Sequence, residues 1–201
     1  MYLAHPASGL TAAYLTRKIW NKGLDTKEQA LLYSSSIITA TLPDFDVFYS
    51  IYKNIENHRY YITHKPIFYL GITLGIVFLS FLLSGKRKKF VRAFSFIFFL
   101  GTLVHILTDS IAGTMMFLYP LSSKIFTLTS VDPIINTHNN VLAYLATPKL
   151  ILLELSIILS ALYILLAKLR KDVIIFRYAS ITLALFSIMV INGVTFFILK
   201  Y

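Results

Sequence analysis

The chain has 201 residues, of which 57% are hydrophobic and only 14% are charged, against roughly 25% charged in a typical soluble domain. This composition excludes a water-soluble globular protein and predicts an all-α, polytopic helical membrane bundle that forms one integral domain over residues 1–201. The formal charge of +10 does not indicate nucleic-acid binding, because the basic residues cluster in short runs between apolar segments.

Two short helices are predicted first, at residues 8–20 and 27–42. The second is expected to begin at an Asp25 or Thr26 cap and to end before Pro43. Both are too short or too polar to be assigned as spans, and they are expected to lie partly buried beside the bundle.

Four predicted spans follow, since a helix needs ~20 apolar residues to cross about 30 Å of hydrocarbon. They are residues 67–84, which are a little short, and residues 93–118, 150–167 and 174–199. The chain therefore divides into a motif-bearing part, residues 1–120, and two additional spans within residues 148–199.

Basic residues predict the orientation, because cytoplasmic loops of membrane proteins are rich in Lys and Arg. If the first two helices form a hairpin, 13 of the 19 basic residues fall on one side, in residues 17–27, 86–92 and 168–177. We therefore expect a multi-pass protein of the cytoplasmic (inner) membrane, with both termini and the polar motifs described next on the extracytoplasmic side.

The most informative motif is a His-x-x-x-Asp pair, His105 and Asp109, inside the apolar run 93–118. Four residues are about one helical turn, so both side chains lie on the same face. Ionisable groups at membrane depth are costly and usually mark a functional site. The alternative is a hydrogen-bonded pair that only holds helices together.

Further polar motifs precede this pair. Asp44 and Asp46 follow Pro43, and an extended backbone there would point both carboxylates the same way; the alternative is an Asx turn at a helix end. Since the chain has no cysteine, imidazole and carboxylate are its strong transition-metal ligands. The pooled candidates, enough for one or two metal ions, are His5, Asp44, Asp46, His58, His64, His105 and Asp109.

The first 120 residues, taken together, resemble the YdjM-like family of bacterial and archaeal inner-membrane proteins, which are described as metal-dependent hydrolases. The motifs that carry the resemblance are His5-x-x-x-Gly9, Leu42-Pro43-Asp44-x-Asp46, His58-Arg59 with Thr63-His64, and Gly101-x-x-x-His105-x-x-x-Asp109 with Gly113 and Pro120. The resemblance implies that all seven candidates are metal ligands and that Arg59 is the companion of His58. The chain departs from the family pattern in HRYYITHK, where Lys65 replaces a usual serine.

These observations predict a membrane-embedded metal-dependent hydrolase that uses a divalent transition metal, Zn²⁺ first, with Mn²⁺ or Fe²⁺ as alternatives. One of Asp44, Asp46 and Asp109 would act as general base. Arg59, together with Lys65, would suit an anionic oxygen, so a lipid or lipid-linked phosphoester is the expected substrate and membrane lipids are the expected partners.

Two other functional classes use the same polar cluster. A transporter would bind a cation or relay protons there, although no inverted repeat is seen in the sequence. A membrane adaptor would keep the cluster for structure alone. His138 is expected in a surface loop or lid. Glu154, early in a span, is expected either as a carboxylate that supports the metal ligands or as a snorkelling interfacial side chain, and the second role is favoured.

Overall fold

The computed structural model describes residues 3–47, 49, 58–128, 144 and 146–200; of residue 58 and residues 196–200 it describes the backbone alone. Within these ranges the chain is helical, and its β structure is limited to one isolated antiparallel bridge between Met115 and Phe126. The all-α prediction is therefore confirmed for the described part of the chain.

The helices follow the apolar segments of the sequence. They are α1 (Ala4–Leu15), α2 (Arg17–Trp20), α3 (Thr26–Thr39), α4 (Pro66–Ser80), α5 (Gly85–Ala112), α6 (Pro148–Tyr163) and α7 (Val173–Lys200). A π-helical stretch, Ile164–Leu169, extends α6. Between α3 and α4 lie three 3-10 helices, Leu42–Phe45, His58–Tyr60 and Ile62–His64.

Three helices are long and apolar enough to cross a membrane: Gly85–Ala112, Pro148–Leu169 and Val173–Thr195. These correspond to three of the four predicted spans. The fourth, α4, has 15 residues, and at 1.5 Å per residue it is about 22 Å long, less than the hydrocarbon thickness. The predicted span 93–118 is wrong at its end, because α5 stops at Ala112, where Gly113 takes an extended conformation.

The two N-terminal helices lie in the middle of the bundle, so the expectation that they lie beside it is wrong. Helix α1 packs against α3, α5, α6 and α7, and 8 of its 12 residues are buried. Helix α3 begins with a capping box, in which the Asp25 carboxylate accepts from the Glu28 N–H and Glu28 accepts from the Asp25 N–H. Asp25, not Thr26, is therefore the N-cap.

Two glycines let α3 lie close to both of its neighbours. A Cβ atom added at Gly9 of α1 would overlap the main-chain oxygen of Ser36 and lie 2.7 Å from Ala40 Cβ. A Cβ added at Gly101 of α5 would overlap Thr39 Oγ1 and lie 3.1 Å from the Ala40 nitrogen. Small residues at helix contacts allow such close backbone approach in membrane proteins. The close packing brings together the start of α1, the end of α3 and the end of α5.

The opposite end of these helices is basic. Helix α5 begins with five basic residues between Gly85 and Arg92. Lys86 pairs with Asp25 and Glu28 at the start of α3, and Lys89 Nζ lies near Gly23, before that helix. The polar motifs and the basic residues of α5 therefore occupy opposite ends of the helix.

Candidate metal centre

Four side chains converge at the end of the bundle away from the basic residues. His5 comes from α1, Asp44 from the 3-10 helix after α3, and His105 and Asp109 from α5. Each offers one ligand atom, and these atoms all lie within 4.8 Å of one another. Residues separated by up to 104 positions in the sequence are thus brought into one compact group, and all but Asp44 are fully buried.

The orientation of His105 is fixed by the main chain. Its Nδ1 lies 2.7 Å from the carbonyl oxygen of Ala40; a carbonyl can only accept, so Nδ1 carries the proton. Nε2 then presents a lone pair 3.5 Å from Asp44 Oδ1 and 3.9 Å from Asp109 Oδ2. This Nε2 is buried without a hydrogen-bond partner among the described residues. A lone pair facing two carboxylates is the arrangement expected around a cation.

His5 is held in the same way. Its Nδ1 lies 2.9 Å from Thr108 Oγ1, and the Thr108 hydroxyl is within 2.8 Å of the His105 carbonyl oxygen, to which it can donate. This contact orients the ring, and Nε2 faces Asp109 Oδ1 at 3.1 Å and Asp44 Oδ2 at 3.7 Å. The rings of His5 and His105 stack with their centroids 3.9 Å apart.

His64 adds a third imidazole to the group. Its Nδ1 lies 3.0 Å from Asp46 Oδ2, and its Nε2 lies 3.7 Å from Asp44 Oδ1 and 3.8 Å from Asp109 Oδ2. Burial disfavours the imidazolium, but the carboxylates of Asp44 and Asp46 outweigh it and raise the pKa of His64 to about 9. A metal ion bound to Nε2 would have to replace that proton.

Arg59 is directed at the group as well. Its Nε donates to Asp109 Oδ2 at 2.8 Å and its Nη2 donates to Asp109 Oδ1 at 3.3 Å, which is a bidentate pair. The guanidinium lies across Gly113, where an added Cβ would overlap Nη1. In this structure Arg59 therefore orients a carboxylate of the group, whereas its sequence motif predicted binding to an anionic substrate.

The donor spacing fits a metal ion. Donors about 2.1 Å from one ion lie about 3.0 Å apart in an octahedral site and about 3.4 Å apart in a tetrahedral one. The nitrogen to oxygen distances among the three histidines, Asp44 and Asp109 range from 3.1 to 3.9 Å. The ligand atoms of His5, Asp44, His105 and Asp109 lie within 4.8 Å of one another, so these side chains would have to move closer together around a bound ion. Three imidazoles with two carboxylates can hold Zn²⁺, Mn²⁺ or Fe²⁺.

The two remaining predicted ligands stand apart. Asp46 is outside the compact group, and its Oδ2 accepts from Thr63 and faces His64. The predicted extended backbone is wrong, because Pro43 begins a 3-10 helix and Asp46 is itself αR (φ −71°, ψ −13°), so the two carboxylates reach different partners. The side chain of His58 lies outside the described residues, as does His138.

Sequence reasoning missed the groups that orient the ligands. The Ala40 carbonyl belongs to the main chain and has no sequence signature, and Thr108 is one of many threonines. Glu154 was expected at the membrane interface, but it is only 6% exposed. It accepts from the Ala4 N–H at 2.9 Å and from the Tyr144 hydroxyl. It thereby ties α6 to the residue that precedes His5.

Comparisons with curated proteins and with solved structures found no match. A sequence model of the YdjM inner membrane protein family matches residues 1–175, which extends beyond the motif-bearing part through α6. Since the match covers most of the chain, this protein belongs to the YdjM inner membrane protein family.

Proposed function

We propose that this membrane protein is a metal-dependent hydrolase whose ion is held by five side chains: His5, Asp44, His64, His105 and Asp109. One observation carries the proposal. The Nε2 atoms of His5 and His105 are buried, oriented by contacts at Nδ1, and directed at the same two carboxylates. Without a metal ion, these buried nitrogens face the carboxylates of Asp44, Asp46 and Asp109, whose negative charge Arg59 and a protonated His64 offset only in part.

A divalent ion bound there would supply a water molecule with a pKa near ~7 and polarise the scissile group. The residues of the chain would divide the remaining work. Arg59 keeps Asp109 in place, and Asp46 orients His64. Asp44 has a side-chain exposure of 34%, against 2% for Asp109 and 7% for Asp46. Asp44 is therefore the most exposed carboxylate of the three, so water and substrate would reach the ion on the Asp44 side.

The interior of α5 favours hydrolysis over transport. Between Arg92 and His105 its hydroxyl side chains, Ser95 and Thr102, donate to main-chain carbonyls of their own helix. This part of α5 contains no charged residue. A transporter would require polar groups that continue from the site toward the basic end.

The separation of charge along α5 supports the proposed orientation. The basic residues that begin α5 would lie at the cytoplasmic face, and the metal centre near the other end would lie toward the extracytoplasmic face. In this orientation the protein would cross the membrane several times. Its proposed substrate is a phosphoester carried by a membrane lipid. Two exposed apolar side chains within three residues of His64 in the chain, Ile62 and Ile67, suit such a substrate.

Metal analysis of the purified protein tests the proposal. We expect one or two transition-metal ions per chain in the wild type and their loss in His105→Ala. Asp172→Asn, at the start of α7, is the matched control and should retain the metal. Wild-type protein that holds no stoichiometric transition metal after supplementation, or His105→Ala with unchanged metal content, would contradict the proposal.

A further inference from the structure

Lys65, directly after the candidate ligand His64, carries a charge that the described residues leave without an acceptor. Its side chain is 2% exposed, and Nζ is buried with no hydrogen-bond partner among the described residues. The rings of Tyr60 and Tyr119 are 5.9 and 5.6 Å from Nζ. Cation–π contacts offset part of the cost of burying an ammonium group, but they leave its three N–H donors unsatisfied.

The negative charges of the metal centre are balanced without Lys65. Arg59 is paired with Asp109, and the histidines face Asp44, Asp46 and Asp109. With a divalent ion in place, the ion and Arg59 would balance these three carboxylates, so Lys65, the residue next to His64 in the chain, adds a positive charge that they do not compensate. Such a surplus attracts an anion.

We infer that Lys65, flanked by Tyr60 and Tyr119, is the receptor for the anionic phosphate group of the ligand that this protein takes up. The inference rests on the proposed function and deepens it, since it assigns recognition of the anion to Lys65 alone, whereas Arg59 is engaged with Asp109. An ammonium is a compact charge with three donors and is well suited to phosphate oxygens. The two tyrosine rings are about half exposed and lie between Nζ and the surface. The ligand would therefore reach Nζ by passing between them.

The structural alternative is that Lys65 is kept for stability. If Lys65 were kept for stability, replacing it with an apolar side chain of similar shape would lower Tm. Replacing an unpaired buried charge by an apolar side chain is neutral or stabilising, so Lys65→Met should raise Tm by about 2–4 °C if roughly 1 kcal/mol is gained. If Lys65 is kept for binding, Lys65→Met should therefore be more stable than the wild type and bind phosphate less well.

Calorimetric titration of metal-loaded protein in phosphatidylcholine nanodiscs tests the inference, with inorganic phosphate and dioctanoyl phosphatidic acid as probes. Loss of one charge-assisted hydrogen bond corresponds to at least ~10-fold weaker binding, which we expect for Lys65→Met. Lys65→Arg should retain binding, and the exposed Lys124→Met is the matched control. Tighter binding of phosphatidic acid would identify a lipid headgroup as the source of the phosphate, and equal binding would identify free phosphate.

Metal content, measured on the same samples, separates this inference from the proposed function. Weakened phosphate binding by Lys65→Met with unchanged metal content supports the inference. If the wild type holds no metal, the hydrolase proposal fails, and the comparison of Lys65→Met with Lys124→Met on metal-free protein still tests the anion site. The inference is overturned if Lys65→Met binds both probes like the wild type, or if its Tm falls.

Discussion

The Nδ1 atom of His105 lies 2.7 Å from the main-chain oxygen of Ala40, and this contact ties the central residue of the metal centre to the end of α3. The contact requires α3 and α5 to approach closely, which the absence of a side chain at Gly101 permits. The ligand orientation therefore depends on helix packing one turn away from the site, as well as on the ligands themselves.

Gly101→Ala should weaken both folding and metal binding. The added Cβ would overlap Thr39 Oγ1, so α3 and α5 must move apart, at a cost of about 1–3 kcal/mol for an overpacked contact. Thermal unfolding and metal titration would measure the two effects. Gly75→Ala in α4, where nothing lies within 4 Å of the added Cβ, should leave both quantities unchanged; an equal effect of the two substitutions would refute the packing argument.

Asp46→Ala should weaken metal binding without abolishing it. Asp46 contacts His64 Nδ1, and partners that orient a ligand typically contribute about 10–100-fold to metal affinity or activity. At saturating metal the variant should reach wild-type stoichiometry, whereas Asp44→Ala should not. Isothermal titration with Zn²⁺ or Co²⁺ distinguishes the two. Loss of stoichiometry in Asp46→Ala would instead support the sequence-based prediction that Asp46 is a ligand.

Glu154→Ala should disturb the metal centre from outside it. The substitution leaves the Ala4 N–H and the Tyr144 hydroxyl without their buried acceptor, at a cost of about 1–3 kcal/mol, and releases the start of the helix that carries His5. If about 1.4 kcal/mol of this cost is lost from the free energy of metal binding, metal affinity falls roughly tenfold.

The conservative variant Glu154→Gln keeps an oxygen for the Ala4 N–H and should restore most of that affinity. The electronic spectrum of Co²⁺-loaded protein reports the ligand set directly, so it should change in Glu154→Ala and return in Glu154→Gln. Asp172→Asn serves as the control carboxylate. A Co²⁺ spectrum of Glu154→Ala identical to that of the wild type would show that α6 does not position His5.

Removal of the metal should lower thermal stability. An ion present at 100 times its Kd stabilises the folded state by about 2.7 kcal/mol, which corresponds to a Tm higher by about 5–10 °C for a chain of this size. Chelation should remove this increment in the wild type, and His105→Ala should show no metal-dependent change in Tm. A wild-type Tm that does not respond to chelator or metal would contradict a site that links α1, α3 and α5.

Helix type and the long spans could be predicted from sequence, because a run of about twenty apolar residues is a strong local signal. The place of α1 could not, since a 12-residue helix with few charges looks like a peripheral segment until its neighbours are known. The backbone after Pro43 was also misjudged. Proline fixes only its own φ, and that value suits the first turn of a helix as well as an extended chain.

The candidate site was predictable as a set of residues and unpredictable as a geometry. Local spacing places His105 and Asp109 on one face of α5, but the meeting of His5 with Asp109 is a contact across about a hundred residues. The roles of Arg59 and Glu154 depended on such contacts too, since the sequence favoured substrate binding for Arg59 and an interfacial position for Glu154. The assignment of His58 as a ligand stays a prediction.

The hydrogen bond from Ala4 to Glu154 joins residues 150 positions apart, and this separation has a consequence for biogenesis. At about 5–20 residues per second, roughly 7–30 s pass between the synthesis of α1 and that of its partner on α6. Helix α1 is too short to cross the bilayer alone, so during this interval it has no membrane-spanning position of its own. We therefore expect the contacts of α1 to be completed only after α6 has been made, and loading of the metal, which needs His5 in place, to follow.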